Sequence, residues 1–341
     1  MRHKQAMSEQ KPDLDKLLES RGQFAQLGAY VTEACFSPQS QAAFALGDGT
    51  VRLGGDFTPV QAHDGAVLSL SSHPLGGFCT GGDDGRLMHV TDTASEIAKF
   101  GSKWVEHVAS FTGKSACIAA AVGKVVHLFS AKGEKLRELA HSSTVSGLAF
   151  DAKGKRLATS HYNGASLWFT GSSAAPRMLE WKGSHTGIVI HPKDEALVTS
   201  MQENSLHGWT LPEGKHMRMS GYPAKTESMG FTKSGRWLAT AGAESVVLWP
   251  FFGGGPMGKA PTELGMGDGI VRRVACHPDH EVVAAGFDTG LTLLIHIAQG
   301  QILPLCGPGR GAITALAWSP TGSHLALGTD TGFAALVDFT G

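Results

Sequence analysis

The feature that most constrains this chain is a strand pattern that recurs eight times between about residue 29 and residue 339. Each copy has an apolar strand, a turn with Pro or Gly, a second strand ending in small residues, a tight hairpin and a third strand. The last copy is the clearest and reads ITALAWSP (313–320), TGSHLALGT (321–329) and DTGFAALVDF (330–339). Because one such unit cannot bury its own apolar face, successive copies are expected to pack against one another.

The hairpin between the second and third strands fixes the period of the pattern. Successive hairpins are separated by 36, 38, 41, 41, 40, 45 and 42 residues. The marker residues are Gly49, Gly85, Gly123, Gly164, Ser205, Ser245, Gly290 and Gly332. A period of about 40 to 45 residues with strand content is typical of a radial array of four-stranded blades. The sequence therefore predicts an all-β fold, an eight-bladed β-propeller of four-stranded antiparallel blades, with fourth strands in segments such as 135–141, 176–181 and 301–307.

The two ends of the chain indicate how such a ring closes. The last copy has no fourth strand of its own, and residues 22–27 (GQFAQL) precede the first copy without belonging to it. We predict that this N-terminal strand completes the last blade, which removes an exposed sheet edge. Residues 1–21 are then an N-terminal tail with one short helix over 12–20 and Asp13 as its candidate cap. Residues 22–341 are a single propeller domain.

Charge and cysteine content limit the partners and the cellular compartment that can be expected. The formal net charge is −1, from 29 basic and 30 acidic residues, and no run of Lys and Arg predicts a nucleic-acid partner. The five cysteines have no paired spacing and lie mostly in apolar strands, as buried thiols in a reducing compartment do. The first twenty residues lack the apolar core of a signal peptide, and no later stretch would span a bilayer. We therefore expect a cytoplasmic protein without membrane contact.

The copies resemble the WD-repeat β-propeller family over roughly nine-tenths of the chain. In that family the first strand ends in Phe-Ser-Pro-like residues, an Asp-Gly turn follows the second strand, and the third strand ends in Trp-Asp. Tryptophan stands on the third strand at Trp168, Trp209 and Trp249, but in no copy does Asp follow it. The corresponding proline turns are Ser37–Pro38, His73–Pro74, His191–Pro192, His277–Pro278 and Ser319–Pro320.

The resemblance implies a structural relay, a buried hydrogen-bonded set of His, Ser or Thr, turn acid and Trp within a blade. Only the fourth copy is expected to approach it, with His141, Thr159 or Ser160, Asn163 and Trp168. The other blades are expected to depend on apolar contact with their neighbours. The residues predicted to make that contact are Phe36, Phe111, Phe150, Phe231 and Trp318.

Motifs for chemistry are weak. FTGKS (111–115) has Val108 where a phosphate-binding loop needs glycine, and a strand rather than a helix follows it. HPDHE (277–281) lies in a turn between strands and does not match metal-ligand spacing. The glycine runs at 253–255, 265–269 and 307–311 open no helix, so we predict no catalytic residue, no metal and no cofactor.

First strands of a propeller line its central channel. One acid and one base among small residues do not make a catalytic ring, so the channel favours a non-catalytic protein. The predicted channel positions are Glu33, Ser69, Val108, Gly147, Gly187, Ser228, Arg273 and Ala315.

The leading hypothesis is a non-catalytic, monomeric propeller that acts as a rigid scaffold for a protein or peptide partner. The resemblance implies binding on the face formed by the loops that enter the first strands and leave the second strands, where aromatic and Arg side chains are expected hot spots. The alternative is a propeller enzyme, or a small-ligand or metal binder, that uses the central channel. The candidate residues of the partner-binding face are Trp104, Tyr162, Tyr222, Arg272, Phe287 and Arg310.

Overall fold

The computed structural model describes residues 13–340, so the tail over residues 1–12 and Gly341 lie outside it. The first element of the described residues is a short helix, α1 (Lys16–Arg21), followed directly by strand β1 (Gly22–Gln26). The predicted short helix is present over 16–21 and not over 12–20, and its N-cap is Asp15 and not the predicted Asp13. Asp15 makes no side-chain cap bond; its carboxylate instead accepts hydrogen bonds from the Gly307 N–H and from Arg310.

The first three repeats each form one antiparallel sheet of four strands in chain order. Their strands are β2 (Val31–Phe36), β3 (Ala42–Leu46), β4 (Thr50–Leu53) and β5 (Thr58–Gln61); β6 (Val67–Ser72), β7 (Phe78–Gly82), β8 (Arg86–Val90) and β9 (Ala94–Lys99); β10 (His107–Phe111), β11 (Cys117–Val122), β12 (Val125–Ser130) and β13 (Lys135–Ala140).

The fourth and fifth repeats share one sheet of six strands. Its strands are β14 (Val145–Phe150), β15 (Arg156–Phe169), β16 (Arg177–Ile190), β17 (Ala196–Met201), β18 (Ser205–Thr210) and β19 (His216–Ser220). The structure thus has seven sheets, and the predicted number of eight blades is not confirmed. The count differs because β15 and β16 are 14 residues long and continue through the points where a turn between two strands was expected.

The last three repeats return to four strands each. Their strands are β20 (Met229–Phe231), β21 (Trp237–Thr240), β22 (Val246–Pro250) and β23 (Thr262–Leu264); β24 (Val271–Cys276), β25 (Val282–Phe287), β26 (Thr292–His296) and β27 (Gln301–Cys306); β28 (Ile313–Trp318), β29 (His324–Thr329) and β30 (Phe333–Asp338).

The predicted closure of the last blade by the N-terminal strand is confirmed. Strand β1 pairs antiparallel with β30, from Gly22 opposite Val337 to Gln26 opposite Phe333, and becomes the fourth strand of that sheet. The helix before it packs against β27, where Leu18 is fully buried. Because β30 would otherwise present unpaired N–H and C=O groups, the pairing removes an open edge from the ring.

Second strands form the core. Every residue of β3, β11 and β17 is buried, since sheets on both sides cover these strands. Alanine is frequent there, and small side chains let neighbouring sheets approach closely. Outer strands alternate instead, as β19 does with exposed and buried residues in turn, because only one of their faces is covered.

Glycines in the turns between first and second strands make room for a ring from the preceding repeat. A Cβ atom on Gly154 would lie 2.1 Å from Phe111 Cδ1, and one on Gly235 would lie 2.3 Å from His191 Nε2. Both glycines have positive φ, 64° and 73°, which other residues adopt at a cost. These turns therefore join neighbouring repeats as well as neighbouring strands.

Candidate functional site

The propeller has two faces, one at each end of the central channel. The top face consists of the loops that precede first strands and follow second strands; the bottom face consists of the remaining loops. In six repeats the first strand carries a bulge after its opening residue, as between Val31 and Glu33 and between Val271 and Arg273. A bulge redirects a side chain, and here it places Thr32 and Arg272 at the channel mouth.

The upper part of the channel is a cavity of about 420 Å³ lined by first-strand residues. His107 lines it in the third repeat, so the predicted channel position Val108 is wrong by one residue; Val108 is buried. The backbone N–H of Val108 donates to Ser69 Oγ at 2.9 Å, just as that of Val274 donates to Ser228 Oγ at 3.0 Å. The error arose because the hairpin at Gly123 is shorter than the hairpins of the preceding repeats.

Channel side chains join one repeat to the next by hydrogen bonds to backbone. Glu33 Oε2 accepts from the Leu70 N–H at 2.5 Å, and Arg273 Nε donates to the Thr314 carbonyl at 2.7 Å. Thr314 Oγ1 in turn donates to the Val31 carbonyl at 2.6 Å, across the point of ring closure. The polar groups of the channel therefore hold the ring together.

The ionisable side chains of the channel differ in their partners and in their protonation. Burial raises the pKa of Glu33 to about 7, although the Leu70 N–H, Arg273 and Ser69 act in the opposite direction. Burial also lowers the pKa of His107. Arg273 is paired at 3.2 Å with Glu227 at the mouth. Near pH 7 Glu33 is therefore only partly ionised, and His107 faces the channel as a neutral imidazole.

The predicted relay in the fourth repeat is present with three of its named members, His141, Thr159 and Trp168. His141 Nε2 lies 2.9 Å from Thr159 Oγ1 and accepts the indole N–H of Trp168 at 3.1 Å. Burial, with a smaller effect from a neighbouring histidine, lowers the pKa of His141 to about 4. Ser160 and Asn163 are corrections: Ser160 Oγ is buried without a partner, and Asn163 Oδ1 accepts from the Gly183 N–H at 3.3 Å.

The expectation that only the fourth repeat has such a relay is wrong. In the second repeat His63 lies 2.8 Å from Thr80 Oγ1 and 2.9 Å from Asp84 Oδ1. Sequence reasoning placed His63 correctly before its strand but did not connect it with Thr80 and Asp84. These polar sets are structural, and they fix the hairpins that carry the top-face loops.

The sixth repeat has a tyrosine in place of histidine. The Trp249 N–H donates to the Tyr222 hydroxyl at 2.6 Å, which lies 2.7 Å from Thr240 Oγ1. Tyr222 is only 8% exposed, so its predicted place on the partner-binding face is wrong. The spacing is the signal that identifies it, because Tyr222 precedes Thr240 by 18 and Trp249 by 27 residues, as His141 precedes Thr159 and Trp168.

The predicted place of Phe287 on the partner-binding face is also wrong, because Phe287 is fully buried in β25 among Val271 and its neighbours.

Arg310 holds the N-terminal helix through a two-pronged ion pair with Asp15, at 3.0 and 3.2 Å. Those contacts outweigh burial and hold the pKa of Asp15 below its usual range. Arg272 lies at the channel mouth, 2.8 Å from Glu227.

Exposed aromatic side chains remain on the top face. Trp104 is 56% and Tyr162 is 58% exposed, as a surface role requires. Tyr30, which the sequence did not single out, is also exposed on the loop before the first repeat. Only its position one residue before a first strand could have indicated it.

Turn aspartates hold the top-face loops in place. Asp84 accepts from the Asp64 N–H at 3.0 Å and Asp288 from the Ile270 N–H at 2.9 Å, in each case across to the loop that precedes the first strand. The loop of Trp104 is fixed by backbone bonds from Val105 N to Gly82 O, 3.0 Å, and from Phe100 N to Gly85 O, 2.8 Å. The exposed rings therefore stand on fixed loops.

Within residues 13–340 no group of three or more His, Cys, Asp or Glu side chains is arranged to hold a metal ion. In HPDHE, His277 Nδ1 accepts from the Asp279 and His280 N–H groups, at 3.1 and 3.0 Å, and so closes a turn.

All five cysteines are free, and burial raises the pKa of Cys35 to about 12. The described part of the chain also contains no helix with the length and apolarity to cross a membrane.

Radial four-stranded antiparallel sheets around a channel define the class of the protein, a β-propeller. Among solved structures 1782 chains match it. One is the crystal structure of the computationally designed protein Ika8, with a TM-score of 0.73, 16% identity, and coverage of 92% of this chain and 97% of that chain. At this identity the likeness concerns the fold alone.

The particular family follows from two sequence matches. The family described as WD domain, G-beta repeat, matches residues 57–89 and 133–168, and both segments contain a histidine relay. Together with the arrangement of blades, these matches support a WD-repeat β-propeller. Propellers of this family typically mediate protein interactions and are generally not catalysts. No curated protein matches the sequence.

Proposed function

We propose that this protein is a non-catalytic, rigid scaffold that binds a protein or peptide partner on its top face. The observation that carries the proposal is Trp104, a ring more than half exposed on a loop whose flanks are hydrogen-bonded to the preceding hairpin. Large exposed aromatic rings are typical binding hot spots. A loop that is already ordered loses little entropy when a partner binds.

Tyr162 and Arg272 extend the same surface. The Tyr162 N–H donates to Ser143 Oγ at 3.1 Å, so this hairpin is also fixed, while its ring is exposed. Arg272 stands at the channel mouth beside Glu227. A partner segment that crosses the mouth would contact these residues and the additional exposed ring of Tyr30.

The test is an affinity capture with the full chain followed by identification of stoichiometric partners. Trp104→Ala and Tyr162→Ala should each abolish or strongly reduce capture, with an unchanged melting temperature. Phe169→Ala removes a ring that is 50% exposed on the bottom face, and it should leave capture unchanged. A partner retained equally by all these variants would contradict the proposed face.

We also propose that the six-stranded sheet acts as two blades, which makes eight in the ring. Support comes from its two halves, since β14 pairs with the first part of β15 and β17 pairs with the last part of β16. Thr159 Oγ1 lies 3.4 Å from the Ser166 carbonyl within β15, as expected of two hairpin arms. A crystal structure with seven radial blades would refute this.

A monomeric state and a cytoplasmic location complete the proposal. The free cysteines support a reducing compartment. Sedimentation at several concentrations tests the first statement and cell fractionation the second. A concentration-dependent mass, or recovery from a secreted fraction, would contradict them.

The channel favours a second candidate, a small-ligand site beside Glu33. Its carboxyl group lies in a polar cavity with His107, whose imidazole ring makes no hydrogen bond within the described residues. The pKa of Glu33 also makes a stability prediction. The unfolded chain loses this proton near pH 4.5 and the fold near pH 7, so the free energy of unfolding should fall as pH rises between these values, by about 1–3 kcal/mol.

Denaturation of wild type and Glu33→Gln at pH 5 and pH 8 measures this loss. The variant should lose the part of the pH dependence that Glu33 contributes. Native mass spectrometry of the purified protein tests the ligand: an adduct present in wild type and absent in Glu33→Gln supports the site. An adduct-free spectrum would leave the scaffold as the better account.

A further inference from the structure

The charges of the bottom face are divided between two halves. In the third to sixth repeats its loops contain nine basic and five acidic residues, a surplus of four positive charges. The basic residues are Lys114, Lys132, Lys153, Lys155, Lys193, Lys215, Lys233, Arg236 and Lys259; the acidic ones are Glu134, Asp151, Asp194, Glu195 and Glu213. The loops of the other repeats (37–41, 54–57, 73–77, 91–93, 277–281, 297–300, 319–323 and 339–340) contain four acidic residues and no Lys or Arg.

The positive half, which we call the basic arc, is poorly neutralised. Two of its acids, Asp151 and Asp194, are already paired with Arg156 of strand β15, at 2.8 and 3.1 Å. Seven of its lysines are exposed and form no ion pair within the described chain: Lys114, Lys132, Lys153, Lys155, Lys193, Lys215 and Lys233. Clustered like charges of this kind raise the local concentration of a partner of opposite charge.

A cavity of about 560 Å³ opens within the basic arc, between the fifth and sixth repeats. Met217 and Phe251 are buried side chains in its wall, and Phe252 is 36% exposed there. The loop over 253–255 has positive φ at all three glycines and adds no side chain to the opening. The cavity therefore has an apolar wall and opens to the arc.

The rim of the cavity combines cations with one fixed ring. Lys193, Lys215 and Arg236 line it, together with the carboxylates Glu195 and Glu213. Arg236 Cζ lies 4.7 Å from the centre of the Phe252 ring, which also packs edge-on against Trp237 at 5.2 Å. The Arg236 guanidinium is thus positioned by stacking and forms no ion pair among the described residues.

We propose that the basic arc and this cavity bind an acidic peptide segment of a protein partner, which inserts one large apolar side chain into the cavity. Its carboxylates would lie against Lys193, Lys215 and Arg236. The charge surplus supplies the electrostatic complementarity, and the apolar wall supplies a pocket for an anchor residue. This surface is separate from the top face and does not depend on its proposed function.

A peptide fits the arc better than a nucleic acid. The exposed cations are almost all lysines, whereas Arg supplies the two-pronged contacts that phosphate recognition favours. Phe252 is a single ring and not a row on which successive bases stack.

Fluorescence anisotropy with a labelled peptide of glutamates around one central phenylalanine tests the proposal on the full chain. Wild type should bind, and the triple variant Lys193→Glu, Lys215→Glu, Lys233→Glu should bind at least about tenfold more weakly. The matched control reverses three exposed top-face lysines, Lys103, Lys124 and Lys182, and should bind like wild type. A peptide of glutamates alone should bind several-fold more weakly, because it leaves the cavity empty.

Four results would overturn the proposal. They are the absence of peptide binding by wild type, equal losses in the two triple variants, equal affinity for the peptide without phenylalanine, and tighter binding of single-stranded DNA or anionic vesicles of matched charge. If the chain binds no peptide but self-associates in sedimentation, and the bottom-face triple variant abolishes this, the occupant is a second copy whose acidic half faces the basic arc. Circular dichroism of both triple variants confirms that each is folded.

Discussion

The fourth and sixth repeats bury the same threonine and tryptophan pair but differ in the residue between them. In the fourth repeat, His141 Nε2 contacts both Thr159 and Trp168. In the sixth, the Tyr222 hydroxyl accepts from Trp249 and contacts Thr240, which donates to the Val247 carbonyl at 2.9 Å. Tyrosine thus gives a continuous chain of donors and acceptors, whereas histidine adds a group that titrates.

The relays of the fourth and sixth repeats also differ in how deeply they are buried. Tyr222 and Trp249 are each 8% exposed, while His141 and Trp168 are only half-buried. Since the hydrogen-bonding groups of the sixth repeat are farther from water, each lost partner there should cost more. The two relays therefore allow the same chemistry to be tested at two depths.

The largest effect is expected from Tyr222→Ala. The substitution removes a buried ring and leaves the Trp249 N–H without an acceptor. We expect a loss of about 3–5 kcal/mol in the free energy of unfolding, measured by denaturant titration. His141→Ala, at the shallower relay, should cost less; an equal or larger cost would contradict the difference in depth.

Tyr222→Phe separates the hydroxyl from the ring. It keeps the volume but removes both hydrogen bonds of the hydroxyl, with an expected cost of about 1–3 kcal/mol. Tyr30→Phe, at an exposed tyrosine, should leave the free energy of unfolding unchanged. If both variants matched wild type, the relay of the sixth repeat would not contribute to stability.

Acid should weaken the histidine relay and not the tyrosine relay. The unfolded chain protonates His141 near pH 6.5, whereas the folded chain keeps it neutral down to about pH 4. The free energy of unfolding should therefore fall as pH decreases from 6.5 to 4, on the order of 1 kcal/mol from this residue at pH 5. His73 and His207, whose pKa values burial lowers to about 4 and about 3, act in the same direction.

Denaturation at pH 7 and pH 5 measures this dependence. His141→Gln should flatten it, and Tyr222→Phe should lower stability equally at both values, since the pKa of Tyr222 is raised to about 12. A steeper dependence in His141→Gln would show that the histidine is charged in the fold.

The smallest effect is expected at Ser160. Its hydroxyl is buried without a partner, so Ser160→Ala should change stability by less than about 0.5 kcal/mol. Thr159→Val, one residue earlier, should cost about 1–3 kcal/mol because it removes the contact with His141. Equal costs for the two substitutions would show that the Ser160 hydroxyl takes part in the relay.

The repeats, the four-stranded blades and the closing strand could be predicted because strand alternation and turn residues are local in the sequence. Tyr222 escaped because the family pattern specifies histidine, although its spacing to Thr240 and Trp249 was visible. His107 was missed because a short hairpin shifts the strand by one residue. The basic arc could not be predicted at all, since its lysines stand far apart in the chain and meet only where loops of four repeats converge.

The pairing of β1 with β30 has a consequence for the order of folding. Gly22 and Val337 must meet across nearly the whole chain, and closing such a loop costs about 3 kcal/mol more entropy than closing a ten-residue hairpin. Contacts within one repeat do not bear that cost, so single repeats should form first and the ring should close last. During synthesis β1 therefore stays without its partner until β30 has left the ribosome.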